Sequence, residues 1–139
     1  MKCLIDTSVL VHSILTGDLS EIKSVEGAVP LVALEEAMYI LIRVSAKEAG
    51  RGGFYEAKRA FEQGELNLAW RRIRVLNKLA QLLGVVEHKA EDVERAKQIM
   101  ARYGLLPNDA LIAATALRLG YGLLTKDSDF KKVEELTLC

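Results

Sequence analysis

The chain has 139 residues, half of them hydrophobic, enough for one domain with a sizeable core and too apolar for a disordered chain. Nineteen Lys and Arg balance nineteen Asp and Glu, so no global field draws in nucleic acid and any such contact must come from local patches. No apolar run approaches the ~20 residues that span a bilayer, Met1-Lys2 leads into too short a run for a signal peptide, and Cys3 and Cys139 fit neither a disulfide framework nor a zinc site, so they are expected as two reduced thiols in a cytoplasmic protein.

In chain order, Met1 to Ile5 reads as a buried strand that ends in Asp6-Thr7-Ser8. Thr7 or Ser8 is placed to cap a helix whose apolar side is Val9, Leu10, Val11, Ile14 and Leu15, with Gly17 as its stop. Asp18 to Lys23 reads as a short helix and Glu26-Gly27-Ala28 as a loop. Pro30 to Ala49 is a long helix, because Leu31, Leu34, Met38, Leu41 and Ile42 recur at helical spacing, and Gly50, Gly52 and Gly53 break it. Phe54 to Gln63 and Leu66 to Leu83 form a helical hairpin about Gly64. Val85-Val86-Glu87 is a short strand, and Ala90 to Tyr103 a helix with Val93, Ala96, Ile99 and Met100 inward. Pro107 opens the next helix, since its missing N–H would be unpaired there anyway, and Gly120 stops it. Leu123 to Thr125 is a strand running into Asp127 and Asp129, and a last strand falls near Leu136 to Leu138. Short apolar strands separated by helices predict a parallel sheet with helices on both faces, in a single domain of residues 1–139 on which residues 54–83 are an elaboration.

The acids fall at telling places. Asp6, Asp127 and Asp129 follow strands and Asp109 opens a helix, and in an open α/β sheet those positions share the rim where ligands bind. Each acid also has a plainer reading: a strand end, a helix cap, an Asx turn, a solvated helix position for Glu35 or Glu36. Clustered carboxylates need a cation. Oxygen donors without His or Cys favour magnesium or manganese over zinc. Such an ion activates water and neutralises phosphate charge, so metal-assisted phosphodiester hydrolysis is the natural chemistry. His12 and His88 share no ligand spacing, Ser8 and Ser128 have no evident His partner, and phosphate-loop and dinucleotide fingerprints are absent. The most basic region holds Arg51, Lys58, Arg59, Arg71, Arg72, Arg74 and Lys78. Arg71, Arg74 and Lys78 share a helix face; with Arg51 they are candidates to guide an RNA backbone to the acidic rim, beside the alternative of a merely solvated face.

Four segments in this order carry a family resemblance: Asp6-Thr7-Ser8, Leu34-Glu35-Glu36-Ala37, Pro107-Asn108-Asp109-Ala110 and Leu124-Thr125-Lys126-Asp127-Ser128-Asp129. The chain resembles the PIN-domain family and, in size, the VapC-type toxins of prokaryotic toxin–antitoxin pairs. The resemblance implies a three-layer α/β/α fold with a parallel sheet of about five strands. It implies a magnesium- or manganese-dependent ribonuclease whose acids fall on Asp6, Glu36, Asp109 and Asp127, with Thr7 or Ser8, Thr125 and Asp129 in support. Glu36 is preferred to Glu35 because the family's glutamate is usually followed by an apolar residue, here Ala37. A homodimer and a small inhibitory antitoxin are implied partners, and the hairpin is a surface for RNA, the antitoxin or the second subunit. Rival readings are a stand-alone RNA-processing nuclease, a non-catalytic PIN-like binding module, and a metal-dependent phosphatase, which would need paired aspartates after the first strand.

Overall fold

The computed structural model describes residues Met1–Cys139. Its sheet has four parallel strands: β1 (Lys2–Ile5), β2 (Glu26–Pro30), β3 (Val85–Val86) and β4 (Gly122–Leu124), in the order β3-β2-β1-β4. Seven helices connect them: α1 (Thr7–Thr16), α2 (Ser20–Lys23), α3 (Leu31–Glu48), α4 (Phe54–Glu62), α5 (Asn67–Leu83), α6 (Ala90–Tyr103) and α7 (Pro107–Leu119). From β1 to β3 the chain winds outward, then returns across the sheet to place β4 on the other side of β1. Right-handed crossovers therefore put α1 and α3 on one face and α6 and α7 on the other. The reversal makes the carboxyl edge between β1 and β4 a topological switch point, where α/β sheets bind ligands.

The segment Glu26-Gly27-Ala28, expected as a loop, is the start of β2 and pairs with Lys2, Cys3 and Leu4. Its glycine makes room for a neighbour: a Cβ on Gly27 would stand 2.5 Å from Ile5 Cδ1, so a larger residue would push that buried side-chain end aside. The expected fifth strand contributes one parallel bridge, Leu123 to Leu138. Neither Thr7 nor Ser8 caps α1: Asp6 occupies the N-cap position, and Ser8 bonds to its carboxylate instead. Of the residues expected inward on α6, Ala96 and Ile99 are buried, whereas Val93 is exposed and Asp92 takes the inward place.

The core is one cluster centred on β1, β4 and α7, including Leu4, Ile5, Leu10, Leu41, Ile112, Leu123 and Phe130. Small residues Ala110, Ala113, Ala114 and Ala116 let α7 lie close to its neighbours. The hairpin α4–α5 packs on α3 through a satellite cluster of Ala46, Ala57, Ala60, Leu66 and Ala69, so it extends the domain and has no separate core.

The cysteines correct the sequence expectation. Cys3 and Cys139 form a disulfide, with their Cα atoms 6.5 Å apart and a sequence separation of 136. Two reduced thiols were expected because nothing local pairs them. The bond follows from topology, since β1 lies beside β4 and the terminal residues run along β4. Closing so long a loop restricts the unfolded chain, so Cys139→Ser should lower stability by about 2–4 kcal/mol. Urea unfolding with and without reductant checks this: wild type should drop to the variant's midpoint when reduced, and coincident midpoints without reductant would refute the contribution.

Candidate functional site

The rim between β1 and β4 gathers side chains from four separated segments. A pocket there is lined by Asp6, Thr7, Ser8, Val11, Glu36, Ile40, Asp109 and Asp127. Asp6 stands at the end of β1, Glu36 in the second turn of α3, Asp109 in the first turn of α7, and Asp127 just beyond β4.

A hydrogen-bond chain stitches the two strand ends together. Asp6 Oδ2 accepts from Ser8 Oγ and from Thr125 Oγ1, each at 2.8 Å. Ser8 Oγ in turn accepts from the Lys126 N–H at 3.0 Å, and Thr125 Oγ1 from the Asp127 N–H at 2.9 Å. Asp127 accepts from the Asp129 N–H at 2.9 Å, which opens a final 3-10 turn, Ser128–Lys132. Both bonds to Asp6 fall on Oδ2, which leaves Oδ1 as the oxygen free for a cation. Lys126 is turned away to Glu21, at 2.6 Å, and does not neutralise the acids.

The electrostatics match an acid cluster without a counter-charge. Burial, then the charges of Asp6, Asp127, Glu36 and Asp129, push the Asp109 carboxyl up to about 6. Glu36 is also raised, mainly by burial, with a hydrogen bond from Asn108 opposing and Asp6 and Glu35 adding repulsion. Asn108 Nδ2 donates to Glu36 Oε2 and so ties α7 to α3 at the rim. Sequence reading used Asn108 only as a helix opener; its place beside Asp109 was the available signal.

Of Thr7 and Ser8, either of which was expected to orient Asp6, Ser8 bonds to its carboxylate, together with Thr125. Thr7 Oγ1 is buried with no hydrogen-bond partner, while the residue lines the acidic pocket. A buried unpaired hydroxyl beside carboxylates fits a site completed by bound water. No group of three or more acidic, His or Cys side chains converges closely enough to hold a metal ion by itself. An open, oxygen-only set suits magnesium or manganese, which keep several waters and need few carboxylates. Asp6, Glu36, Asp109 and Asp127 line the pocket as oxygen donors of the kind such an ion takes.

Glu36 lines the pocket and Glu35 is exposed to solvent. Glu36→Gln should therefore reduce any metal-dependent activity at least tenfold, whereas Glu35→Gln should leave it within twofold; steady-state rates on one substrate decide. Asp129 lies outside the pocket lining and pairs with Lys132 at 3.5 Å. The basic candidates also lie elsewhere: Arg51 is paired with Glu65 at 2.8 Å. Arg71, Arg74 and Lys78 are exposed on α5, away from the acidic pocket.

A further polar cluster, unforeseen in the sequence, braces the site from behind. His88 Nε2 accepts the Val32 N–H at 3.0 Å, so the ring caps α3. Nδ1, which then carries the proton, lies 2.7 Å from Thr115 Oγ1. Asp92 accepts from Arg118 Nε at 2.7 Å, from the Lys89 N–H at 2.8 Å and from Thr115 at 3.2 Å.

Against known proteins, the family model described as PIN domain matches residues 3–136. No curated protein sequence matches the chain. Solved structures do match in fold. One is VapBC2 from Rickettsia felis bound to a DNA fragment from their promoter, with TM-score 0.71, 16% identity and 100% of this chain on 98% of that one. A toxin-antitoxin complex from Klebsiella pneumoniae gives TM-score 0.63 at 20% identity, 97% of this chain on 95% of that one. PAE2754 from Pyrobaculum aerophilum gives 0.65 at 22%, 99% on 83%.

Proposed function

Since the chain belongs to the PIN-domain family, we propose that it is a divalent-metal-dependent endoribonuclease and the toxin of a VapBC-type toxin–antitoxin pair. One observation carries the chemistry: acids from four separated segments meet in one pocket with no cation of the chain among them. Likeness to the Rickettsia and Klebsiella complexes supports the toxin role.

In this reading Asp6, Glu36, Asp109 and Asp127 hold magnesium or manganese. When bound, the ion lowers the pKa of water and neutralises charge on a phosphate oxygen. Ser8 and Thr125 fix the Asp6 carboxylate, so that it meets the ion already oriented. Asn108 holds Glu36 in the same way. Asp109, whose carboxyl is pushed up to about 6, would have to be deprotonated to hold the ion. RNA is the substrate, water the nucleophile, and the products carry a 5′-phosphate and a 3′-hydroxyl. A small antitoxin that covers the acidic pocket, a homodimer and a cytoplasmic site of action complete the proposal. No helix is long and apolar enough to cross a membrane. The Cys3–Cys139 bond bears on the location, because such bonds are rare in a reducing cytoplasm outside hyperthermophiles.

The test is digestion of a mixed, structured RNA pool in magnesium, in manganese and in EDTA, with the new ends mapped. Metal-dependent cuts leaving 5′-phosphates are expected. Cuts leaving cyclic phosphates, or cuts that persist in EDTA, would refute the chemistry. A short reading frame beside the gene, whose product blocks cleavage, would support the toxin role over a stand-alone nuclease.

A further inference from the structure

Helix α3 carries more than Glu36 towards the rim. Glu36, Tyr39, Ile40 and Arg43 follow at helical spacing, so they lie along one side of the helix. Ile40 lines the acidic pocket, and Tyr39 and Arg43 line an adjoining groove closed by Phe54 and Phe61 of α4. Seven residues separate Glu36 from Arg43, a rise of about 10 Å. Ile40 on the pocket and Tyr39 on the groove are consecutive residues, so the two depressions neighbour each other along α3.

Arg43 is held in a distinctive way. It makes no ion pair; its guanidinium donates to Tyr39 Oη at 3.0 Å and to the Gly52 carbonyl at 3.4 Å. Its Cζ lies 6.0 Å from the Tyr39 ring and 5.6 Å from the Phe54 ring. Tyr39 is 45% and Phe54 50% exposed, so both rings offer surface to a ligand. The result is a ladder of ring, cation and ring, fixed by hydrogen bonds and with a positive charge unspent. Arg51, Arg72, Arg102 and Arg118 are each turned to a carboxylate; Arg43 is instead set between two aromatic rings, with no carboxylate partner.

We propose that the Tyr39–Arg43–Phe54 ladder binds single-stranded RNA, its rings stacking on unpaired bases and Arg43 holding a backbone phosphate of the strand that leaves the acidic pocket. The inference rests on the nuclease reading and adds which RNA the site takes. Flat aromatic faces accept bases only when these are unstacked, so the ladder selects looped or unpaired segments over duplex. A guanidinium between the rings with no counter-charge complements a phosphate, whereas a purely apolar partner would cover its charge without neutralising it.

The test uses the full chain carrying Asp109→Asn, so that RNA is not consumed. Anisotropy is read with a labelled unstructured RNA and with a duplex of equal length, over a range of salt. The single strand should bind more tightly. Tyr39→Ala and Phe54→Ala should each weaken it about five- to a hundredfold, and Tyr39→Phe, which keeps the ring but loses the hydroxyl that receives Arg43, should weaken it less than Tyr39→Ala. Arg43→Gln should weaken it and reduce the salt slope by about 0.7, which loss of packing alone would not do. Thermal melts check folding. Photocrosslinking of 5-iodouridine RNA to the chain without ladder substitutions should land on Tyr39 or Phe54, which needs no variant to fold. Equal binding of single strand and duplex would overturn the inference, as would ladder variants that melt and bind RNA like wild type. So would ladder variants that lose only self-association or an acidic peptide partner, since the surface would then be a protein interface. If the unsubstituted protein cuts RNA yet the ladder variants bind normally, the inference fails and the nuclease reading stands. If it binds single strands through the ladder but cuts nothing, the reverse holds.

Discussion

Asp109→Asn should raise the melting temperature of the metal-free protein at pH 7 and abolish the further rise that manganese or magnesium gives wild type. The Asp109 carboxyl stands at about 6 in the fold, above its ordinary 3.8, because burial and four neighbouring acids oppose its charge. The sign follows from linkage. The folded chain holds this proton more tightly than the unfolded chain, so the stability it confers is complete below about pH 4 and is lost as pH rises through 6. At pH 7 the charged group is a net penalty. Asp109 is partly exposed, and solvent screening limits the penalty to about 1–2 kcal/mol. Asn keeps the shape and removes the charge. A cation that binds only the folded state contributes about 2.7 kcal/mol at a hundred times its dissociation constant. Each kcal/mol moves the melting point by several degrees in a chain of this size. Scanning calorimetry at pH 5 and 7, with and without metal, reads all of this. A variant less stable than wild type without metal, or one that keeps the full metal response, would contradict the account.

Asp92→Ala should destabilise the fold by about 3–5 kcal/mol, although Asp92 touches neither the pocket nor the hairpin. The side chain is 2% exposed. Burial raises its pKa, but Arg118, the Lys89 N–H and Thr115 outweigh this and hold it below the ordinary value. Its stabilising contribution is therefore present at neutral pH and is lost as pH falls below about 3.8. Removing the carboxylate strands the Lys89 N–H at the start of α6 and the guanidinium on α7. The damage should spread to the site, because Thr115 also faces His88, which caps α3. The urea midpoint is the readout, and an unchanged midpoint would show that the cluster is dispensable. Asp92→Asn, which keeps two acceptor-sized groups, should cost less.

Where a signal was local, sequence reading met the structure closely. Helix α6 runs over Ala90–Tyr103, the range its periodicity indicated. Pro107 is the first residue of α7, as its missing N–H suggested, and Gly120 ends that helix with φ 69°, where glycine alone is unstrained. Asp6, Asp109 and Asp127 were each placed by a strand end or a helix start, Glu36 was preferred to Glu35 on the family resemblance, and the parallel topology brings all four to one pocket. The features that escaped depend on partners far away in sequence. Strand β2 reads as a turn because Glu26, Gly27 and Pro30 are poor strand formers, yet that glycine makes room for the close approach of Ile5. The His88–Thr115–Asp92–Arg118 cluster joins three segments, none of which carries a motif. The Cys3–Cys139 bond needed the order of the strands before it could be seen.

The most direct test of the central claim is single-turnover cleavage of an end-labelled, unstructured RNA by wild type and Asp109→Asn, purified identically, in magnesium, manganese and EDTA. The account predicts cleavage by wild type in either metal, none in EDTA, and a rate at least ~100-fold lower in the variant, since several kcal/mol of charge stabilisation pass through the ion. Equal rates in wild type and variant, or cleavage that survives EDTA, would contradict it.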